Sequence, residues 1–422
     1  MNTMQVISVI IFAAAMILIM TERVHRMTAA LAGGVMMILC GIMTVPSSVK
    51  YIDAETICIL VGMMLFVSVV KKSGLFEYIA IKSAKAVKGR PWAIMAAFIL
   101  ITAFLSAFLD NVTTVLLIGP MTFAITKAIG LNPVPFIMTQ IMASNIGGTA
   151  TLIGDPPNIM IGSAAELSFM DFVFNVGPAV LIVLIATTVV FYALYGKKEK
   201  VNQKKLENLM RMDENMEIRD KTLMIKSVIM IVLMIFSFIF QDILGLESAV
   251  IALGAAVIMM IIGKQDIDSI VEGVEWTSIV FFIGLFVVVG GLQESGVIDL
   301  MAGFIIDATH GKMLMAIIVI LWVSALLSAF LDNIPFVATM IPLIMSMESA
   351  GIDVMPLWWA LSLGACLGGN GTLIGASANV VLSGISAREG HPISFRQYMK
   401  VGFPVMIIGI CICTVYLVLR FG

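Results

Sequence analysis

The hexapeptide Ser-Ala-Phe-Leu-Asp-Asn occurs twice, at Ser106–Asn111 and Ser328–Asn333, each time inside apolar sequence and at an offset of 222 residues. A second motif repeats with it: GGTATLIGDPPN at Gly147–Asn158 is matched by GGNGTLIGASAN at Gly368–Asn379, at an offset of 221. Two independent matches at nearly one spacing mean an internal duplication. Weaker echoes carry it across most of the chain: Gly62 with Gly284, Ser73-Gly74 with Ser295-Gly296, Gly89 with Gly311, and Pro120 with Pro342. Any fold for this sequence is therefore built from two similar halves.

Composition says where those halves sit. Of 422 residues 60% are hydrophobic and 12% charged, with a mean hydropathy of +1.07, so bilayer-length apolar runs dominate. Runs at Met4–Met20, Ala29–Val45, Thr56–Val70, Phe172–Tyr195, Thr222–Phe240, Ser248–Ile262, Thr277–Leu292 and Lys400–Leu419 read as helices, because lipid leaves no water to satisfy an open backbone. Strand-like alternation is absent, which argues against a barrel. The first run has no basic stretch before it and no A-x-A site after it, so it reads as a retained helix. Cys40, Cys58, Cys366, Cys411 and Cys413 lie in apolar runs without zinc or redox spacing and read as packing residues, as do the 33 methionines.

Loop charge sets the relative orientation of the halves, because Lys and Arg accumulate in cytoplasmic loops. Lys71, Lys72, Lys82, Lys85, Lys88 and Arg90 follow the third helix, whereas the matching stretch of the second half carries Glu294, Asp299 and Asp307 with Lys312. A second loop pair reverses the bias: Glu166 and Asp171 stand against Arg388, Arg396 and Lys400. The expected fold is an all-α polytopic membrane protein of two inverted-topology repeats, 1–195 and 222–422, joined by a polar cytoplasmic linker at 196–221. Ten full crossings put both termini outside. The stretches 91–129 and 312–350 must start and end on one side, which makes each a re-entrant helical hairpin with the hexapeptide at its turn.

Carboxylates inside a membrane segment are costly and mark function by default. Asp110 and Asp332 are such residues; Asn111, Thr113 and Thr114 follow the first, and Asn333, Pro335 and Thr339 the second. Freed carbonyls with Asn and Thr oxygens suit a small cation or a proton. Asp and Asn are also favoured helix N-caps, and both roles can coexist at a broken helix.

Two further stretches, 133–165 and 355–386, read as helices broken at the second motif. Gly148, Thr149, Thr151, Asp155 and Asn158 mark the first break, where Pro156 and Pro157 end the preceding helix. Gly369, Asn370, Thr372, Ser377 and Asn379 mark the second, which has neither Pro nor Asp. Half-helix N-termini attract negative groups and unwound carbonyls attract cations. Asp155 breaks the internal symmetry, because its counterpart is Ala376; it is either a titrating or cation-coupling group or a helix cap. The expected occupants are Na+ or H+ as coupling ion, with no other cofactor and no metal site beyond a Na+ position at the hairpin tips.

The run FLDNVTTVLL followed by GGTATLIGDPPN, with LDNIPFVATMIP in the second half, resembles the ion transporter superfamily. The nearest branch holds the ArsB arsenite pumps, the melanosomal P protein and the NhaD sodium/proton antiporters. The resemblance implies a dimerising scaffold domain, a transport domain carrying both hairpins and both broken helices, and elevator-type alternating access. Related dicarboxylate carriers have Ser-Asn-Thr at the tips, where this chain has Leu109-Asp110-Asn111 and Leu331-Asp332-Asn333. Those carboxylates repel an organic dianion unless they are protonated or bound to cations.

The leading expectation is a secondary active transporter of the inner (plasma) membrane. Its substrate is a small inorganic ion, moved by sodium/proton-type exchange or by arsenite and antimonite export. Cys366 near the second break offers the metalloid a thiol. Alternatives are a sodium-coupled carboxylate carrier and, from another class, an ion channel. An enzyme is not expected: H-E-x-x-H and G-x-S-x-G are absent, and His25, His310 and His391 are scattered. Without a Walker A sequence, ATP drives transport only through a separate ATPase subunit, as an ArsB-like protein uses. The other expected partners are the bilayer and a second copy of the chain, with no nucleic acid.

Overall fold

A computed structural model describes residues 1–21, 23–196, 209–211, 213–309 and 312–422. Half of the polar linker at 196–221, and His310, lie outside the described residues. Among the described residues the secondary structure is helical, with no strand. The first half holds α1 (Thr3–Thr21), α2 (Arg26–Leu39), α3 (Val45–Val49), α4 (Ala54–Lys71), α5 (Leu75–Ala86), α6 (Pro91–Phe108), α7 (Asn111–Ile129), α8 (Pro133–Thr149), α9 (Pro156–Ala164), α10 (Phe169–Asn175) and α11 (Gly177–Tyr195). The second half holds α12 (Lys221–Ile239), α13 (Gln241–Leu244), α14 (Ser248–Gly263), α15 (Ile267–Val271), α16 (Trp276–Glu294), α17 (Val297–Thr309), α18 (Met313–Phe330), α19 (Asn333–Ser349), α20 (Met355–Gly368), α21 (Ser377–Arg388) and α22 (Phe395–Phe421).

Local chemistry sets these boundaries. Pro91, Pro133 and Pro156 each open a helix, where a missing N–H costs nothing. Asp53 caps α4 through the Thr56 amide, and Asp220 caps α12 through the Leu223 amide. Two apolar runs differ from their sequence-derived extents. The run Ala29–Val45 stops being helical at Leu39, because Gly41 turns the chain at φ +71° and Thr44 caps a new short helix. The run Phe172–Tyr195 splits at Val176, because Pro178 cannot donate to the preceding turn and restarts the helix as α11.

Nine helices among the described residues are long and apolar enough to cross a membrane. Burial separates centre from edge: 72% of the α16 window is buried, against 17% for α1 and 28% for α12. The large apolar side chains that α1 and α12 expose, such as Ile10, Ile17, Val232 and Phe236, suit hydrocarbon rather than water.

The packing carries the duplication into three dimensions. Helix α4 packs along α14 of the other half, and α16 packs in return along α2. Gly62 and Gly284 mark the two crossings: a Cβ on Gly62 would meet Ala252 C at 2.7 Å, and one on Gly284 would meet Leu31 N at 2.7 Å. The arm α6 lies chiefly along α8, and its counterpart α18 along α20. The short segments are exchanged as well, α21 packing on α7 and α9 on α19. Each half is thus completed by the other, which brings both hairpin turns and both helix breaks to the middle.

The described part of the linker is docked. A 3-10 turn at Glu214–Glu217 packs on α5, with ion pairs Lys85–Glu214 and Arg219–Glu77 and an Arg219 amide bond to Ser73 O at 3.1 Å.

Candidate functional site

Each hairpin turns over two residues, Leu109-Asp110 and Leu331-Asp332, and the aspartate caps the second arm. Asp110 Oδ1 accepts from the Thr113 amide at 2.8 Å and its Oδ2 from the Thr113 hydroxyl. Asp332 Oδ1 accepts from the Ile334 amide at 3.1 Å, while Oδ2 accepts from Ser377 Oγ at 3.0 Å. The expected capping role is thus present at both tips, and at the second tip the carboxylate also reaches across to the far break.

The breaks are held by one repeated set of bonds. Ser106 Oγ donates to Ser144 O at 2.7 Å, and Ser328 Oγ to Ala365 O at 2.6 Å, pinning each first arm to its broken helix. Thr151 and Thr372 spend their hydroxyl protons on the hairpin carbonyls of Ala107 and Ala329. Asn158 Nδ2 gathers the carbonyls of Thr149 and Thr151 at 3.1 and 2.9 Å, and Asn379 Nδ2 those of Gly369 and Thr372 at 2.7 and 2.8 Å. Arm and break touch closely because the contact residues are glycines. A Cβ would lie 2.1 Å from Ala103 O at Gly147 and 2.6 Å from Ala325 O at Gly368. Gly148 and Gly369 lie within the same turns, and a Cβ on Gly148 would lie 2.5 Å from Gly154 O.

Different residues then connect the halves. Asn145 accepts from Asn111 Nδ2 at 3.4 Å and donates to Asn370 Oδ1 and Asn379 Oδ1 at 3.0 and 2.9 Å, joining the first tip to the second break. Asn333 Nδ2 lies 3.3 and 3.4 Å from the two carboxylate oxygens of Asp155, joining the second tip to the first break. Asn158 Oδ1 accepts from Ser362 Oγ at 2.7 Å and from the Cys366 thiol at 3.5 Å. Asp155, Asn145 and Asn158 are each 0% exposed, so every bond here forms in a low-dielectric setting where polar groups without partners are expensive. Thr114 Oγ1 is buried and has no protein partner among the described residues. Thr149 donates to its own helix, at Asn145 O.

Of the residues singled out by sequence, Asn111, Asp155, Asn158, Asp332, Asn333, Asn370, Ser377 and Asn379 are joined across tips and breaks, whereas Asp110 and Thr113 bond to each other and Thr149 to its own helix. Sequence matching missed Asn145, Ser144, Ser362 and Arg26. Arg26 Nη1 donates to Ser377 Oγ and lies 3.5 Å from Asp332 Oδ2. The available signal was a polar Ser144-Asn145 pair inside an apolar helix, two residues before Gly147-Gly148. The surroundings of the tips differ too. Thr113 at the first tip borders a cavity of about 70 Å³ shared with Ser68, Lys71 and Glu275. Asp332 lies at the margin of an apolar cavity of about 820 Å³ walled by Met16, Phe304, Leu327 and Pro335.

The sequence model of the citrate transporter family matches residues 16–364. An uncharacterised transporter of Mycobacterium bovis is 40% identical over 99% of both chains, and a 46 kDa membrane protein of Mycobacterium leprae is 38% identical over the same shares. The human P protein is 32% identical over 98% of this chain, which spans 59% of that longer relative, so the resemblance to the branch holding the P protein holds. The YdaH transporter of Alcanivorax borkumensis, solved as a crystal structure of unusual topology, superposes with a TM-score of 0.62 over 88% of this chain and 86% of its own. Its 13% identity makes this a likeness of fold alone. The chain is a multi-pass membrane transporter and belongs to the citrate transporter family.

Proposed function

We propose that this transporter is a secondary active exchanger, moving a small inorganic cation against protons through the site shared by its two halves. The observation that carries the reading is Asp155, wholly buried at the first break and reached by the amide of Asn333 from the opposite tip. A buried carboxylate without a counter-charge costs several kcal/mol. A proton or a cation removes that cost, and the two compete for the same oxygens. Asp110 and Asp332 place two further carboxylates at the tips, so alternate loading by H+ or by Na+ needs no other group. The exchanged packing of the halves supports an inverted repeat, and the two hairpins with their breaks form the unit that would move as one body past α2, α4, α14 and α16.

Arsenite or antimonite export is the other inorganic-ion form of this reading, with Cys366 as the single thiol beside the break. A sodium-coupled carboxylate carrier is the second reading. It draws on the family's description as citrate transporters and on a positive side chain, Arg26, at the second break. The deciding experiment follows a pH dye in energised inside-out vesicles as sodium, lithium, arsenite or citrate is added. A response to sodium or lithium alone establishes cation/proton exchange. A response to arsenite alone moves the protein to metalloid export, and one to citrate alone moves it to carboxylate transport. Ion flux that never runs uphill against its gradient would make it a channel.

A further inference from the structure

Arg26 opens α2, outside both repeated motifs, yet its guanidinium reaches the centre of the molecule. One edge is fixed on its own neighbours: Nη2 donates to Ser278 Oγ of α16 at 3.1 Å, and the group lies 5.4 Å from the centre of the Phe281 ring. Ser278 in turn donates to Glu275 Oε2 at 3.1 Å, the carboxylate that borders the cavity beside Thr113. The other edge, Nη1, meets Ser377 at the start of α21 and Asp332 at the second tip. A single side chain thus ties the α2–α16 pair to both moving parts of the second half.

The first tip has no equivalent. Asp110 accepts from Thr113 and has no cationic partner among the described residues. The residue 221 positions after Arg26 is Glu247, and the one 222 positions after it is Ser248. Asp332 lines an apolar cavity, and Arg26 is the cation that faces it there. The pair is also loose: the side chains of Arg26 and Asp332 are 28% and 15% exposed and 3.5 Å apart. Ion pairs of that kind are weak enough to be exchanged for another partner.

We infer that Arg26 is the tethered counter-ion of Asp332. It docks the second hairpin tip on the α2–α16 pair while no coupling cation is bound, and the arriving cation or proton takes its place. Arg26 is a positioning residue in this scheme: it never travels with the ion, and its release frees the tip. The scheme rests on the exchange reading, but the docking it describes can be measured without any transported ion.

The experiment is hydrogen exchange on the purified full-length protein in sodium-free buffer, comparing wild type, Arg26→Gln and Arg26→Lys. With Arg26→Gln, amides of residues 331–337 exchange about tenfold faster, while those of 109–115 are unchanged. Arg26→Lys keeps the charge and stays close to wild type. Equal protection of residues 331–337 in wild type and Arg26→Gln, in samples that remain monodisperse, overturns the inference. In vesicles, Arg26→Gln lowers the half-saturating sodium or lithium concentration several-fold, and Asp332→Asn abolishes that difference. An unchanged or raised half-saturation with Arg26→Gln also overturns it. If wild-type vesicles answer to no cation, the exchange reading has failed, and the hydrogen-exchange comparison still decides whether Arg26 holds the tip.

Discussion

The two hairpin tips share a hexapeptide and differ in almost everything around it. At the first, Asp110 is bound to its own helix start, and Thr113 beyond it borders a small cavity shared with Lys71 and Glu275. At the second, Asp332 borders a large apolar cavity and leans on Arg26 and Ser377. The bonds that hold backbone to backbone are duplicated: Ser106 with Ser328, Thr151 with Thr372, Asn158 with Asn379. The groups that face the centre are not. Asn145 stands opposite Cys366, Thr149 opposite Asn370, and Asp155 opposite Ala376. Duplication built the frame, and departures from it made one site rather than two equal ones.

The comparison is most easily broken at the tips themselves. Replacing both Asp110 and Asp332 by Asn keeps both caps but removes both carboxylates, so cation-evoked proton movement should fall at least about 100-fold with folding retained. Full transport by this double variant would leave the tips as caps only.

At the centre, Asn145→Ala deletes two amide hydrogen bonds between the halves and a third to Asn111 at the first tip, and should cost roughly 2–3 kcal/mol of stability. Its counterpart Cys366→Ala removes the thiol's weak contacts with Asn158 and Asp155 and should cost less, about 1 kcal/mol. Equal shifts in thermal midpoint would contradict the asymmetry of the centre.

A subtler contrast separates the single tip variants. Asp332→Asn leaves Arg26 without its carboxylate and should lower stability by about 1 kcal/mol. Asp110→Asn removes a buried charge that has no cationic partner among the described residues and should be neutral or slightly stabilising. Paired thermal melts of the two purified variants test the sign.

The smallest effect is expected outside the repeat, at the linker. The hydrogen bond from the Lys85 ammonium holds the Glu214 carboxyl below its usual range. The contribution of this pair is therefore present above the ordinary carboxylate pKa and lost as pH falls through the depressed one. Lys85→Ala should leave transport unchanged, with a slight loss of midpoint at neutral pH that disappears once pH falls below the depressed Glu214 pKa. A large effect on flux would mean the docked linker takes part in the cycle.

The legible features were those written twice. The hairpin turns at Asp110 and Asp332 and the breaks at Gly147–Asn158 and Gly368–Asn379 stood out because apolar helices have no other reason to carry such residues at matched spacing. Asn145, Ser362 and Arg26 were hidden for the opposite reason. Their partners lie more than 200 residues away or in the other half, and no counterpart points to them. Arg26 also stands in the polar stretch between the first two apolar runs, where a basic residue is ordinarily a cytoplasmic loop charge. The early end of α2 follows from Gly41 and the Thr44 cap, both local signals that a long apolar run masks. That Phe172–Tyr195 is two helices was signalled by Gly177-Pro178 in the same run.

The most direct test is the proton movement evoked by sodium or lithium in vesicles carrying Asp155→Asn beside wild type. Asn333 can still pair with an amide at that position, so the network closes while the central charge is gone. The account predicts that the response disappears with expression and thermal midpoint preserved. Wild-type flux from Asp155→Asn would contradict a site centred between the two halves.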